Sequence, residues 1–200
     1  MRLHDTSRPT PRGRPRRDLE VVKSAALILT VTAWEAFTED TLLACFGERL
    51  HEAKSPADVS SAFNATAENW LHSGAVKPPD LGSWAGDGWK GIVMARFTEQ
   101  VASLNTPKSE NVRRLYRRYL GSDITEGWRW RGVAPEDARQ QLDRLIALRG
   151  ELVHRGSDFF DVSGRARVRL KDVTGGIRLV NHLVDCTGRA LGRAPHEEEL

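Results

Sequence analysis

Apolar residues return at three- and four-residue steps in three long stretches of the chain, the mark of helices with one buried face. Between Pro135 and Gly156 the stripe is Leu142, Leu145, Ile146, Leu148, Leu152 and Val153. Pro135, Glu136 and Asp137 open it at the positive end of the helix dipole, and Gly156 ends it. From Asp18 to about Leu50 the inward candidates are Val21, Val22, Ala25, Ile28, Leu29, Thr32, Ala36 and Leu43. From Lys171 to Leu191 they are Val173, Ile177, Val180, Leu183, Val184 and Thr187, despite Gly175 and Gly176, each of which costs about 1 kcal/mol against alanine.

Shorter helices lie between these. Ser55–Leu71 starts with Ser55 as N-cap and Pro56 in the first turn. Ile92–Leu104 stops because the residue before Pro107 is pushed out of the helical region. Ser109–Leu120 buries Val112, Leu115 and Tyr119. Ser73–Gly91, with its glycines and Pro78-Pro79, reads as a loop pinned by Trp84 and Trp89, and Phe159–Leu170 as a loop or short hairpin. The pattern predicts an all-α, single-domain bundle of about five to six helices over residues 18–192, with a frayed acidic tail at 193–200.

A length of 200 residues at 40% hydrophobic content is enough for one substantial core. Cys45 and Cys186 fall in apolar helical stretches without partner spacing, which predicts buried free thiols in a reducing cytoplasm and neither a disulfide nor a zinc site. The apolar centre of the first helix, Ala25–Phe37, is about 13 residues long, short of the roughly 20 that cross a bilayer, so no membrane span is predicted. Charge is unevenly placed. Residues 1–17 hold six arginines and one aspartate among three prolines, a flexible arm of +5 against +3 for the whole chain, which leaves −2 for residues 18–200. Such an arm can hold RNA phosphates or simply solubilise the protein.

The chemistry concentrates at the end of the 135–156 helix, where four residues separate Arg149 from His154. Histidine titrates near neutrality and can move a proton at a ribose 2′-hydroxyl or a leaving 5′-oxygen, while a guanidinium fork holds a phosphate as charge builds on it. In a straight helix this five-residue step turns the side chain by about 140°, so the pair converges only if the last turn loosens or a second copy of the chain faces the first. Spacing alone is not distinctive: if four to six intervening residues are allowed, chance gives about two such pairs at this Arg and His content, and Arg189 with His196 is the other. The structural alternative is a solvated helix-end cation and a histidine at the negative end of the dipole. Glu35, on the first helix, is either a carboxylate that orients His154 or part of a solvated face. Arg113, Arg114, Arg117 and Arg118 alternate with Tyr116 and Tyr119, and Trp128-Arg129-Trp130-Arg131 follows. Such alternation can grip and stack on single-stranded RNA. No carboxylate or Cys/His cluster has metal-ligand spacing, so no cofactor is expected.

The order Trp34-Glu-Ala-Phe37, Leu104-Asn-Thr-Pro107, Asn111-Val-Arg-Arg-Leu115 and then Leu142 to Gly156 resembles the HEPN superfamily, in particular its RiboL-PSP-HEPN branch. The resemblance implies an all-helical, commonly dimeric protein and a metal-independent endoribonuclease, with Arg149 and His154 as catalytic residues; Glu35 and Arg155, beside them in our reading of the chain, are the candidate supporting residues. The resemblance also implies RNA as partner, a second copy of the chain, and a toxin or antiviral role with an antitoxin or defence-system partner. The family's polar residue after the arginine is replaced here by Gly150, which opens the alternative of a catalytically silent RNA-binding or assembly module. DNA binding has no helix-turn-helix pattern behind it.

Overall fold

The computed structural model describes residues 17–64, 81–102, 107–154 and 168–193. Helix α1 (Arg17–Glu52) has 36 residues, about 54 Å at 1.5 Å per residue. It ends ahead of Pro56, where the Asp58 carboxylate accepts the backbone N–H groups of Lys54 and Ser55 at 2.9 Å each. A short 3-10 turn (Pro56–Val59) follows, and residues 60–64 are α-helical. Next come α2 (Gly88–Ala102), α3 (Ser109–Leu120), α4 (Pro135–His154) and α5 (Leu170–Ala190). Among the described residues there is no strand, only an isolated bridge between Trp130 and Val133. The fold is the expected all-α bundle.

Every other long helix packs on α1. Its C-terminal half meets α2 and α3 through the rings of Phe46, Phe97 and Tyr119, whose centroids lie 4.4–5.1 Å apart. Burial in this cluster pushes the Tyr119 phenol up to about 12. Buried polar tips find backbone partners: Trp34 Nε1 donates to Pro107 O at 3.2 Å and the Tyr116 hydroxyl to Thr38 O at 3.1 Å. Toward the other end α1, α4 and α5 converge at Gly176, where a β-carbon would lie 3.1 Å from Leu145 Cδ1. The helix cost of this glycine is therefore offset by close approach. Asp143 of α4 fixes the start of α3 by accepting from both the N–H and the hydroxyl of Ser109 at 2.8 Å.

Several details differ from the sequence pattern. α1 buries Leu27, Val31, Trp34, Thr38, Leu42, Phe46 and Leu50. Of the predicted inward set, Val21, Val22 and Leu29 are 43%, 62% and 67% exposed, Ala25, Thr32 and Ala36 are exposed, and Ile28 and Leu43 are half-buried. The helix is apolar on two sides, and the side bearing the large aromatics faces the bundle. By length and hydropathy α1 also meets the requirement for a membrane span from Asp18 to Glu52, which the short apolar centre did not predict. Val153 and Ile177 are likewise exposed. α2 begins at Gly88 rather than Ile92, so Trp89 is a buried helix residue. Phe63 packs edge-on against Trp84 and Trp89. Both cysteines are free thiols; Cys186 is buried as expected, whereas Cys45 is only half-buried. Residues 1–16 of the arm, the later part of Ser55–Leu71, Leu104 to Thr106, most of Phe159–Leu170 and residues 194–200 of the acidic tail lie outside the described residues.

Candidate active site at the end of the motif helix

α4 runs unbroken from Pro135 through Gly150 to His154, so no loosening of the described turn brings Arg149 and His154 onto one face. Arg149 turns toward α1. Its Nη2 lies 3.9 Å from Glu35 Oε2, and the two side chains are 28% and 19% exposed. Among the described residues Arg149 Nε is buried without a hydrogen-bond partner, whereas His154 is exposed at the helix end. Glu35 therefore faces Arg149 rather than His154, and its face is not a solvated one. One turn further along α1 the Glu39 carboxyl is pushed up, first by burial and then by Glu35 and Asp40. Glu35 thus holds Arg149 loosely, beyond hydrogen-bond distance, and leaves its Nε unengaged among the described residues. A buried donor without a partner costs about 1–3 kcal/mol, which an anionic ligand would recover. At Gly150 a β-carbon would meet nothing within 4 Å. Arg155 lies outside the described residues.

The four arginines of α3 form a different region. Arg113 Nε and Arg117 Nη2 both lie 2.9 Å from Asp123 Oδ2. Burial pushes the Asp123 carboxyl up, but the Thr125 hydroxyl and N–H together with Arg113 and Arg117 outweigh it and hold the group below the usual range. Arg114 donates to Asn111 Oδ1 at 3.2 Å and Arg118 to Gln100 Oε1 at 3.5 Å. Arg113 also acts on Glu136 at the start of α4, about 20 Å along that helix from Arg149. Tyr116, Tyr119 and Trp128 are core residues, the Trp128 indole donating to Thr187 Oγ1 at 3.0 Å. Asp123 as a hub was missed in the sequence, although Asp123-Ile-Thr125 has the spacing of an Asx turn. His182 is exposed and its ring stacks on Trp130. Among the described residues no three His, Cys, Asp or Glu side chains come together as a metal site would need.

An all-helical bundle that carries an Arg and a His at the open end of one amphipathic helix has the organisation of a HEPN domain. The RiboL-PSP-HEPN family profile matches residues 3–192, and the chain belongs to that family. No curated protein and no solved structure matches the chain.

Proposed function

We propose that the protein is a metal-independent endoribonuclease that works as a homodimer, Arg149 holding the scissile phosphate and His154 handling protons. The observation that carries this is the Arg149 guanidinium, mostly buried against Glu35 yet with an unpartnered Nε, on the helix that ends in an exposed histidine. In the reaction the ribose 2′-oxygen bonds to phosphorus as a histidine takes its proton. The bond from phosphorus to the 5′-oxygen then breaks, and an imidazolium protonates that oxygen. The products are a 2′,3′-cyclic phosphate and a 5′-hydroxyl, and the guanidinium stabilises the phosphorane between them.

A second copy supplies what one chain lacks. Arg149 and His154 diverge on a regular helix, and one histidine per chain does not readily serve as both base and acid, whereas an isologous interface brings two. Val22, Ala25, Leu29, Thr32 and Ala36 follow the three- and four-residue steps of a helix-packing seam, all turned outward. Only 28% of the apolar window of α1 is buried within the chain, and exposed ribbons of this kind mark association surfaces. The same reading makes the protein a cytoplasmic toxin or antiviral effector restrained by an antitoxin or other defence-system protein. Gly150 favours one second reading, a silent RNA-binding or assembly module, because it removes the polar side chain that follows the arginine. The test is product chemistry. A mixed RNA pool should give fragments ending in 2′,3′-cyclic phosphate, and an all-2′-deoxy substrate of the same sequence should remain intact. Cleavage of the deoxy strand would reject 2′-hydroxyl attack, and a folded dimer that binds RNA without cutting it would favour the silent module.

A further inference from the structure

The sequence contains two runs in which guanidinium and aromatic groups alternate, and the fold treats them differently. In α3 the tyrosines are buried and Arg113 and Arg117 are tied to Asp123. At 128–131 only Trp128 enters the core. Trp130 and Val133 exchange backbone hydrogen bonds of 3.3 and 2.9 Å across a tight turn. Gly132 sits there at φ +78°, a conformation that strains other residues. The turn leaves Trp130 half-buried and Arg129 and Arg131 exposed. Arg129 donates to Glu126 O at 3.2 Å, and neither guanidinium forms an ion pair among the described residues. The His182 ring of α5 stacks on the Trp130 indole at 4.8 Å between centroids and 17° between planes. Beside the turn lies a shallow cleft, widely open to solvent, of about 420 Å³ lined by Arg129, Trp130, Gly132, Val133, Ala134 and Pro135.

We propose that this cleft is a second RNA subsite, holding one base of a single strand on the Trp130 ring with Arg129 and Arg131 on the flanking phosphates. The assignment rests on the RNA-directed reading above. An aromatic face provides stacking that any base can use, and unpaired guanidinium groups supply the phosphate contacts. Pro135 and Arg149 stand at opposite ends of α4, 14 residues apart, about 21 Å along the axis. The bound strand therefore extends several nucleotides from the scissile bond, and the subsite acts on binding rather than on chemistry.

The test uses the full chain and a labelled, mixed-sequence dodecanucleotide with 2′-O-methyl groups throughout, which removes the nucleophile and keeps the probe whole. Trp130→Ala should weaken its binding by about five- to a hundredfold, the range for loss of one base–aromatic stack. Arg131→Glu should weaken it too and flatten its dependence on salt. On cleavable RNA both variants should raise KM and leave kcat in place. Arg131→Glu alters an exposed side chain, so it decides the matter if Trp130→Ala fails to fold. If the wild-type protein binds the probe and both variants bind it equally well, the cleft serves another partner and the subsite is overturned while the RNA reading stands. If the wild type does not bind the probe at all, both are overturned.

Discussion

Replacing Leu29 by aspartate separates association from folding. Leu29 is 67% exposed in the single chain, so the substitution should change monomer stability by no more than about 0.5 kcal/mol. Full burial of a leucine side chain contributes about 1.5–3 kcal/mol, and two thirds of that, counted once per protomer, is roughly 2–4 kcal/mol across a two-fold interface. At about 1.4 kcal/mol per decade the dimer dissociation constant rises roughly thirtyfold to several-hundredfold. Burying the new carboxylate adds to the loss. Sedimentation velocity over a concentration series reads the constant, and RNA cleavage at each concentration shows whether activity follows the dimer. The expected variant keeps its helical circular dichroism, sediments as a monomer where the wild type is a dimer, and loses cleavage in proportion. A Leu29→Asp protein that dimerises like the wild type would remove the outward stripe of α1 from the interface, and a fully active monomer would refute the need for two histidines.

Glu35→Gln should lower kcat about tenfold or more with little change in binding of an uncleavable RNA, because the loose pair at 3.9 Å positions Arg149; faster cleavage would show that Glu35 restrains the arginine. Asp123→Asn should cost about 1 kcal/mol or less, because the amide oxygen still accepts the Thr125 bonds made at Oδ1 and the lost pairing of Oδ2 is with arginines a third to half exposed, where such pairs add little. The Asp123 carboxyl is held below its unfolded value, so its stabilisation is present above about pH 4 and fades as pH falls through the lower folded value. Melts of the wild type in that acidic window should converge on those of Asp123→Asn, and parallel curves would contradict the assignment. Gly176→Val should destabilise by roughly 1–3 kcal/mol through overpacking against Leu145, already 3.1 Å from where a β-carbon would sit; an unchanged thermal midpoint would mean that α4 and α5 are packed loosely there.

Periodicity carried most of the helical framework. Ser109–Leu120 has the bounds that its pattern and flanking residues indicate, and the last helix, expected over Lys171–Leu191, runs Leu170–Ala190. Orientation was less legible. α1 is apolar on two sides, and a pattern of spacing cannot distinguish a stripe buried by its own chain from one left outside. The arginines of α3 look like a bare basic strip in sequence because Asp123, which pairs two of them, lies beyond the helix end. Arg149 and His154 were readable as residue types suited to phosphate and proton transfer. Their divergence follows from the regularity of α4 through Gly150, and the approach of Glu35 to Arg149 joins residues more than a hundred positions apart, which only packing reveals. The stacking of His182 on Trp130 is of the same kind.

Cleavage of a mixed RNA pool in excess EDTA, by wild-type protein and His154→Ala side by side, bears most directly on the proposed chemistry. The wild type should cut under these conditions, and the variant, folded and dimeric, should be slower by at least the roughly 100-fold typical of losing a general acid–base group. Equal rates for the two proteins, or wild-type activity that vanishes with EDTA, would contradict it.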